Sequence, residues 1–523
     1  MTRQTYDTEK QLVRCLGENR HIILYGAGMV GELVCRRLLA NGLSGKITGF
    51  AVSKKVGVPW EDRGLCGFSI YEINELKAYK KAAVVLIATL PNLHKEIAEH
   101  LYGLGFEKVI FVTLHLYKEL CKRYMSDFRR QNPIHFAENG KTRVLLIASD
   151  NNMFSGAFRC MAELCGQLQE NGMATAVILP HYGTGTPLLE QKQIPYTYIP
   201  SQDWGYEVAK DRDLLTKIRF LTGMLKNYKA RQELVVFMKE NRIDLVHCNT
   251  TYTYIGALAA EKCGIPYVWH FRESMAFQGY RFFMPCYAWR LIRKAARIIT
   301  VSEYIKSLIP LEERASAVVV YDSVEVLEQF CKRREILQKK TVYMIMVGAI
   351  VRYKGQEELI RACALLKEKG IEKFHLSLIG KGQADYVREL EQMIAGYELE
   401  EQIALCGVSD RVQELYAGSD LAFVCSAEEA YGRVTIEAQL SGCFVIGPDS
   451  GATPELIRDG RTGYLYHAGS HESLAEKIME VMNHPEQSRK IAEAGQEYAR
   501  KMYTKENNFK QIQVIYEESL RRK

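Results

Sequence analysis

Apolar and polar positions along the chain repeat one pattern three times: a short aliphatic run, a turn that contains glycine, and an amphipathic segment of helical length. The runs HIILYG at 21–26, RVLLIAS at 143–149 and TVYMIMVG at 341–348 each begin one series. Similar runs follow within the series, among them VVLIATL, DLVHCN, YVWHF, LAFVCS and CFVIG. Strands that alternate with amphipathic helices predict parallel sheets covered by helices on both faces. The pattern therefore predicts an α/β protein with three Rossmann-like doubly wound domains.

Two polar stretches, at 122–142 and 325–340, separate the three series. The 523 residues also exceed what one hydrophobic core supports. We predict a Rossmann-like module at 1–125, a linker at 126–140, a second domain at 141–325 and a third domain at 326–505. Helical spacing of apolar residues in NNFKQIQVIYEESLRRK predicts a final helix at 506–523 that packs against another element.

The composition argues against a membrane-spanning or secreted protein. The amino terminus, MTRQTYDTEKQLVRC, lacks the apolar core of a signal peptide, and the longest apolar run, AAVVLIA, is far shorter than the ~20 residues of a membrane span. The 14 cysteines are scattered without a CxxC pair, as is typical of a reducing compartment. We therefore expect a cytoplasmic protein. Its net charge of +7 weakly favours anionic partners, such as nucleotide phosphates or a lipid surface.

The segment SAEEAYGRVTIEAQLSG carries the strongest chemical signal. Glu429 and Glu437 stand on either side of a glycine turn and the start of a helix. Free N–H groups at a helix start, aided by the helix dipole, can hold a pyrophosphate. The first carboxylate can accept sugar hydroxyls and the second ribose hydroxyls, while Lys354, placed between a strand and a helix, can neutralise a departing diphosphate. Two unrelated surface carboxylates near a helix start are the plain alternative.

This segment resembles the Glu-x7-Glu signature of retaining family 4 glycosyltransferases of the GT-B fold. As in that family, Gly451, Thr453, Pro454 and Glu455 follow, and then a D-G-x-T-G turn at 459–463. The resemblance covers roughly residues 141–523. It implies that the last two domains form a GT-B pair with a cleft between them. The second domain would bind the acceptor, the third would bind a nucleotide-sugar donor, and the last helix would return to the acceptor domain.

The resemblance also implies roles for individual residues. It implies catalytic roles for His270, at the end of the strand YVWHF, and for Lys354 and Glu429. The donor-binding residues that it implies are Gly156, Arg352, Gly432, Arg433, Val434 and Glu437. Where the family commonly has an arginine, this chain has Ala349. Either Arg352 or Arg433 can replace that cation, or neither does, and a non-catalytic nucleotide-sugar-binding protein is the alternative function.

Neither a metal nor a cofactor is expected beyond the donor substrate. The hypothesis is that the acceptor hydroxyl attacks on the face from which the diphosphate leaves, with electrostatic stabilisation by Lys354 and helix N–H groups. The only Asp-x-Asp triplet, Asp211-Arg212-Asp213, lies in the charged segment VAKDRDLLTK and is interpreted as a solvated helix face. Full activity in EDTA is therefore predicted.

The first domain carries a second candidate site. Gly26, Gly28 and Gly31 form GxGxxG between a predicted strand and a helix, the setting of a dinucleotide turn. The next strand ends in Ser53 and Lys54, with no acidic residue to hold a ribose, which disfavours NAD. The module therefore binds a nucleotide or nucleotide-sugar, or serves as a scaffold. An NAD-dependent sugar-modifying enzyme is the other functional alternative.

The resemblance makes a glycan or a polyprenyl-linked molecule the expected acceptor, in the synthesis of a cell-surface polysaccharide or glycolipid. Nucleic acid is not expected as a partner. Two stretches, 214–234 and 280–297, mix basic residues with large apolar ones at helical spacing. They predict either ordinary helices that cover a sheet or a peripheral contact with the inner face of the membrane.

Overall fold

The computed structural model describes residues 4–54, 64–89, 91–137, 140–210, 213–331, 336–338, 340–409 and 411–521. The chain forms two compact units. One comprises Met1–Ile134 with Leu179–Pro187, and the other comprises His135–Ile178 with Leu188–Lys523. No described helix combines the length and the apolar content that crossing a bilayer requires.

The first unit is built on a parallel six-stranded sheet in the order β1-β6-β5-β2-β3-β4. Its elements are β1 Gln4–Thr5, α1 Glu9–Gly17, β2 His21–Tyr25, α2 Met29–Ala40, β3 Ile47–Val52, β4 Ile70–Glu72, β5 Ala83–Ile87, α3 His94–Gly103, β6 Lys108–Phe111 and α4 Leu114–Gln131. Helix α4 begins at an N-cap, where Thr113 Oγ1 accepts from the N–H of Leu116 at 3.1 Å. The helix continues into the stretch predicted as a linker at 126–140.

The second unit contains two lobes, whose strands and helices are given whole, although the last residue of β8 and the first two of α6 fall in the segment Leu179–Pro187 of the first unit. The first lobe consists of β7 Arg143–Ile147, α5 Gly156–Glu170, β8 Ala174–Leu179, α6 Thr186–Gln191, β9 Tyr196–Tyr198, β10 Gly205–Glu207, α7 Leu214–Glu240, β11 Leu245–Cys248, α8 Ile255–Cys263, β12 Tyr267–Phe271, β13 Tyr280–Phe282, α9 Pro285–Ile292, β14 Arg297–Thr300, α10 Glu303–Ser307, α11 Leu311–Arg314 and β15 Ala317–Val319. Its main sheet has the order β15-β14-β12-β11-β7-β8-β9, while β10 and β13 form a separate antiparallel pair.

The second lobe has a parallel six-stranded sheet in the order β18-β17-β16-β19-β20-β21. Its elements, with the helix that follows them, are β16 Val342–Val347, α12 Gln356–Glu368, β17 Phe374–Ile379, α13 Ala384–Gly396, β18 Ile403–Gly407, α14 Val412–Gly418, β19 Leu421–Phe423, α15 Arg433–Leu440, β20 Phe444–Pro448, α16 Thr453–Leu456, β21 Tyr464–Tyr466, α17 His471–Asn483, α18 Pro485–Met502 and α19 Lys505–Arg521. Apolar side chains from the strands and from α12 and α17 form one core.

The last helix, α19, packs against the first lobe rather than the second. The Tyr516 hydroxyl is buried and lies 2.6 Å from Nδ1 of His247 on β11. Asn508 Nδ2 donates to the carbonyl oxygen of Tyr321 at 2.8 Å. These contacts place the end of the chain beside the strands that position the candidate site.

Candidate functional site

The turn between β19 and α15 holds Glu429 in a fixed backbone conformation. The hydroxyl of Ser426 donates to Glu429 Oε1 at 2.6 Å, and the N–H of Ala452 donates to the Glu429 carbonyl oxygen at 2.9 Å. A Cβ at Gly451 (φ +60°) would lie 2.7 Å from the Glu429 nitrogen. The close approach of these two turns therefore requires glycine at position 451.

Helix α15 begins directly after this turn. Gly432 is its N-cap, with a left-handed φ of +94°. The N–H groups of the first helical turn, including those of Arg433 and Val434, have no acceptor within the helix. The helix start therefore presents donors and a positive dipole end beside Glu429, as a diphosphate site requires.

Lys354 contacts Glu429 from the other side of the site. It ends a single turn of 3-10 helix, Arg352–Lys354, that follows β16, and its Nζ forms an ion pair with Glu429 Oε1. The two side chains are 24% and 13% exposed, so both remain accessible to a small molecule. The structure therefore brings together two of the three residues predicted to be catalytic.

Gly355, the residue after Lys354, packs against the backbone of Cys425, four residues before Glu429. It has φ of +76°, and a Cβ there would lie 2.2 Å from the carbonyl oxygen of Cys425. Gly355→Ala should therefore lower the free energy of unfolding by about 3 kcal/mol or more, since a backbone clash adds to the left-handed strain. Gly370 has nearly the same φ, +78°, with nothing within 4 Å. Gly370→Ala should lower the free energy of unfolding by about 1–2 kcal/mol, because it adds only the left-handed strain. Chemical denaturation measures both, and equal losses would contradict the role assigned to the Cys425 contact.

Arg433 joins the two lobes at the start of α15. Its guanidinium donates to both carboxylate oxygens of Glu163 on α5 at 3.2 Å, and to the Ser323 carbonyl oxygen at 3.1 Å. Its Nε lies 3.9 Å from Glu437 Oε1. Burial raises the pKa of the Glu437 carboxyl, and the positive charge of Arg433 acts in the opposite direction. Arg433 and Glu437 therefore lie side by side, one helical turn apart.

Gly156 faces the same place from the first lobe, and Arg352 does not. A Cβ at Gly156, the first residue of α5, would lie 3.8 Å from Arg433 Cδ. The exposed Arg352 instead pairs with Glu357 and Glu389. Among its contacts in the described part of the chain, none is with Lys354 or Glu429. Gly156 thus lies beside Arg433, whereas the guanidinium of Arg352 is paired with carboxylates of its own lobe, and a donor-binding role for either residue stays a prediction.

His270 lies at the end of a buried chain of hydrogen bonds. The Tyr516 hydroxyl lies 2.6 Å from His247 Nδ1, and His247 Nε2 lies 3.3 Å from His270 Nδ1. Burial lowers the pKa of His247 to about 3 and the pKa of His270 well below its usual value, so both rings are neutral. Arg272 Nη2 lies 3.1 Å from His270 Nδ1. Because arginine can only donate, Nδ1 of His270 accepts and its proton resides on Nε2.

The Nε2–H group of His270 is therefore a buried donor, and it has no hydrogen-bond partner among the described residues. Arg272, which fixes the ring, also forms a buried ion pair with Asp322. The hydroxyl of Tyr431 donates to the Asp322 carbonyl oxygen at 2.5 Å. Since Tyr431 directly precedes Gly432, this network fixes His270 relative to the turn that leads into α15.

Two further contacts hold the lobes together around this turn. The Ser302 hydroxyl donates to the Ala430 carbonyl oxygen at 2.6 Å. The Glu455 carboxylate accepts the N–H groups of Glu303 and Tyr304 at the start of α10, at 2.8 and 2.7 Å. A carboxylate at a helix start is favoured by the unpaired donors and by the dipole. Glu455 of the second lobe is thus a cap for a helix of the first.

Glu273 adds a titratable group at the end of β12. It is half-buried and accepts from the Thr251 hydroxyl at 2.8 Å. Burial raises the pKa of this carboxyl from 4.5 to about 7, against the hydrogen bonds from Thr251. The folded protein therefore holds the proton up to about pH 7, whereas the unfolded chain releases it near pH 4.5.

This difference predicts a pH-dependent stability. The stabilisation that comes with the protonated Glu273 carboxyl is lost as the pH rises from 4.5 to about 7, because the unfolded state ionises first. Glu273→Gln, which stays neutral, should remove that part of the decline in the free energy of unfolding, and the exposed Glu368→Gln should not. Denaturant titrations across this pH range measure it. Parallel pH dependence in Glu273→Gln and the unchanged protein would contradict the assignment.

The described residues contain no group of three or more His, Cys, Asp or Glu side chains arranged to hold a metal ion. Asp211 and Arg212, two members of the Asp-x-Asp triplet, lie outside the described residues. The third, Asp213, is the N-cap of α7 and accepts from the N–H of Leu215 at 3.1 Å.

In the first unit, the predicted GxGxxG turn connects β2 to α2. A Cβ at Gly31 would lie 1.9 Å from the Gly26 carbonyl oxygen, so helix and turn touch at this point. Gly28 is the N-cap of α2, with nothing within 4 Å of its Cβ position. The hydroxyl of Ser53, beyond β3, lies 2.6 Å from that of Tyr25. The turn has the close packing that its glycines predict, and a ligand there stays a prediction.

A solved structure shows which fold the two lobes share. The structure of Anabaena Alr3699/HepE in complex with UDP superposes with a TM-score of 0.59 at 22% identity, over 71% of this chain and 98% of that one. At this identity the likeness concerns the fold, which is GT-B. The prediction of a doubly wound α/β chain with a GT-B pair is thereby confirmed.

Sequence families agree with the fold. Residues 154–320 match glycosyltransferase family 4, and residues 329–498 match glycosyl transferases group 1. These two stretches form a glycosyltransferase. Two curated proteins are similar in sequence to the glycosyltransferase. The uncharacterized glycosyltransferase MJ1178 of Methanocaldococcus jannaschii is 28% identical over 58% of this chain and 83% of its own length. The N-acetyl-alpha-D-glucosaminyl L-malate synthase of Bacillus anthracis is 26% identical over 39% of this chain and 54% of its own length.

Proposed function

We propose that this glycosyltransferase transfers a hexose-like sugar, with retention and without a metal, from a nucleotide-sugar to a glycan or polyprenyl-linked acceptor. The reaction would belong to cell-surface polysaccharide or glycolipid synthesis, in the cytoplasm at the inner face of the membrane. One observation carries the proposal: Lys354 and Glu429 are in contact beside the start of α15. The UDP complex of HepE supports a nucleotide-sugar as the donor.

The donor would replace contacts that the side chains now make with each other. Lys354 would leave Glu429 and pair with the diphosphate, whose oxygens also receive N–H groups from the start of α15. Glu429 would then accept hydroxyls of the sugar, and Glu437, one turn into the helix, hydroxyls of the ribose. The ion pair thus keeps two charges compensated until the donor provides a partner for each.

His270 would act as a hydrogen-bond donor and not as a base. Its proton resides on Nε2, and burial keeps the ring neutral by lowering its pKa, so Nε2–H can donate to an oxygen of the sugar or phosphate. The acceptor hydroxyl would attack the anomeric carbon on the face from which the diphosphate departs. The new glycosidic bond forms as the anomeric carbon–phosphate oxygen bond breaks, and the leaving phosphate takes the hydroxyl proton.

The second phosphate cation would be Arg433 and not Arg352. Arg433 lies at the helix start, next to Glu437, whereas Arg352 is exposed and paired with carboxylates of its own lobe. The bond between Arg433 and Glu163 keeps the guanidinium in place before a donor arrives. This arrangement would replace the arginine that the family has at the position of Ala349.

A panel of nucleotide-sugars tests the proposal through thermal stabilisation and turnover, each with and without EDTA. We expect donors of one nucleobase to raise the melting temperature and to be turned over at the same rate in EDTA. Stabilisation without turnover on any acceptor would favour the non-catalytic alternative. Neither stabilisation nor turnover by any donor would contradict the proposal. Bound NAD in the purified protein would instead favour a sugar-modifying role for the first unit.

A further inference from the structure

Helix α7 exposes a row of large apolar side chains to solvent. Leu214, Ile218, Leu221 and Leu225 are 69%, 48%, 51% and 74% exposed, and Tyr228, 60% exposed, continues the row. These five residues, the α7 stripe, follow one another at spacings of three or four and therefore share one face of the helix. Exposed leucines are ordinary when single, but a contiguous apolar row marks an interaction surface.

The opposite face of α7 fixes the rotation of the helix. Gly223 is buried, and a Cβ there would lie 1.6 Å from the side-chain oxygen of Gln202. Asn227 Nδ2 donates to the Gln202 carbonyl oxygen at 2.7 Å and to the Tyr254 hydroxyl at 2.6 Å. Because this inner face already packs against the lobe, the α7 stripe is the face of the helix that points away from the hydrophobic core.

The charges around the stripe are of one sign. Between Leu214 and Gln232 the helix carries five Lys or Arg residues and no Asp or Glu. Lys226 and Lys229 are exposed beside the stripe. Two copies of α7 packed through the stripe would bring these like charges together, which disfavours a second copy as the occupant. A binding partner with an apolar interior and an anionic surface would complement both the leucines and the cations.

A cationic depression adjoins the stripe. It is lined by Tyr287, by an ion pair between Lys294 and Glu261, and by three further cations: Arg231, Lys262 and Arg290. The Arg231 guanidinium lies 5.0 Å from the centre of the Tyr228 ring, so it links the stripe to the depression. Arg231 Nε is buried and has no hydrogen-bond partner among the described residues. Cations grouped in this way suit an anionic phosphate.

We propose that the α7 stripe and the adjoining cationic depression bind the surface of an anionic lipid bilayer. The leucines would enter the interface between headgroups and acyl chains, and the lysines and arginines would contact lipid phosphates. This proposal names the residues that would contact the membrane. It does not depend on the transfer reaction proposed above.

Flotation of the full chain with vesicles of phosphatidylcholine, with and without phosphatidylglycerol, tests the proposal in the absence of a donor. We expect binding only to the vesicles with phosphatidylglycerol. Leu221→Gln/Leu225→Gln should weaken it at least about tenfold, because apolar area drives insertion. Lys226→Glu/Lys229→Glu should weaken it about tenfold as well, because each cation near the surface contributes. Leu311→Gln, at a 78% exposed leucine elsewhere in the first lobe, should bind as before.

Thermal unfolding should be the same in all variants, since the substituted side chains are exposed. Should the leucine variant unfold early, the charge variant alone decides the outcome. No binding of the unchanged protein to phosphatidylglycerol vesicles would overturn the proposal, as would binding that both double variants retain. Light scattering that shows a dimer which Leu221→Gln/Leu225→Gln dissociates would assign the stripe to a second copy and overturn it too.

Discussion

Lys354→Ala should lower kcat by about 10²–10³-fold, the size of effect seen when one preorganised electrostatic donor is removed from a transition state. Its ammonium is the only cation in the described site that contacts Glu429, and the departing diphosphate gains charge as the glycosidic bond breaks. The loss should fall on kcat more than on KM, because the interaction strengthens as charge develops. Initial rates with the stabilising donor measure it.

The matched control is Lys369→Ala, an exposed lysine at the other end of α12, which should leave the rate unchanged. Lys354→Arg keeps the charge but changes its shape, and it should recover part of the rate. A Lys354→Ala enzyme with normal kcat would remove the lysine from the reaction and leave its contact with Glu429 as a structural ion pair.

Glu429→Gln should lower kcat by about 10²-fold, because the carboxylate positions the sugar and the amide replaces one acceptor by a donor. The Ser426 hydroxyl, which donates to this carboxylate at 2.6 Å, would also lose its charged partner. Glu414→Gln, on the exposed face of α14, is the control and should have no effect.

The double variant Lys354→Ala/Glu429→Gln separates two explanations of these losses. Residues that act together on one donor give effects that are far from additive. We therefore expect the double variant to be little slower than the slower single variant. Strictly additive losses would indicate that the two side chains act on separate parts of the substrate, and they would contradict a shared role in holding the donor.

The sequence predicts much of the fold because the spacing of apolar residues and the residue types within each segment indicate the same strands and helices. Buried strands such as YVWHF and LAFVCS are continuous apolar runs, as parallel sheets covered on both faces require. The linker at 126–140 stays a prediction. Helix α4 continues to Gln131, inside that stretch, and its buried residues Leu116, Leu120 and Met125 all precede it, while the boundary between the two units falls within it, at Ile134 and His135.

The candidate site also combines positions that the sequence predicts with contacts that it does not. The positions of Glu429, Glu437 and Lys354 in the fold can be predicted, because glycines and spacing define a local motif around them. The environment of His270 cannot, because its ring lies against His247, which in turn contacts Tyr516, a residue 269 positions beyond His247 in the chain. Glu163, the partner of Arg433, carries no local signal on α5 either. Arg352 satisfies the spacing of a phosphate ligand, yet nearby carboxylates of α12 and α13 bind its guanidinium.

A crystal structure with the nucleoside diphosphate of the stabilising donor tests the central claim most directly. We expect the diphosphate within hydrogen-bond distance of Lys354 Nζ and of the first N–H groups of α15. The ion pair between Lys354 and Glu429 should be broken, with Glu437 facing the ribose. A nucleotide bound away from this turn, for example only at Gly26–Gly31 of the first unit, with the ion pair intact, would contradict the assignment of the donor site.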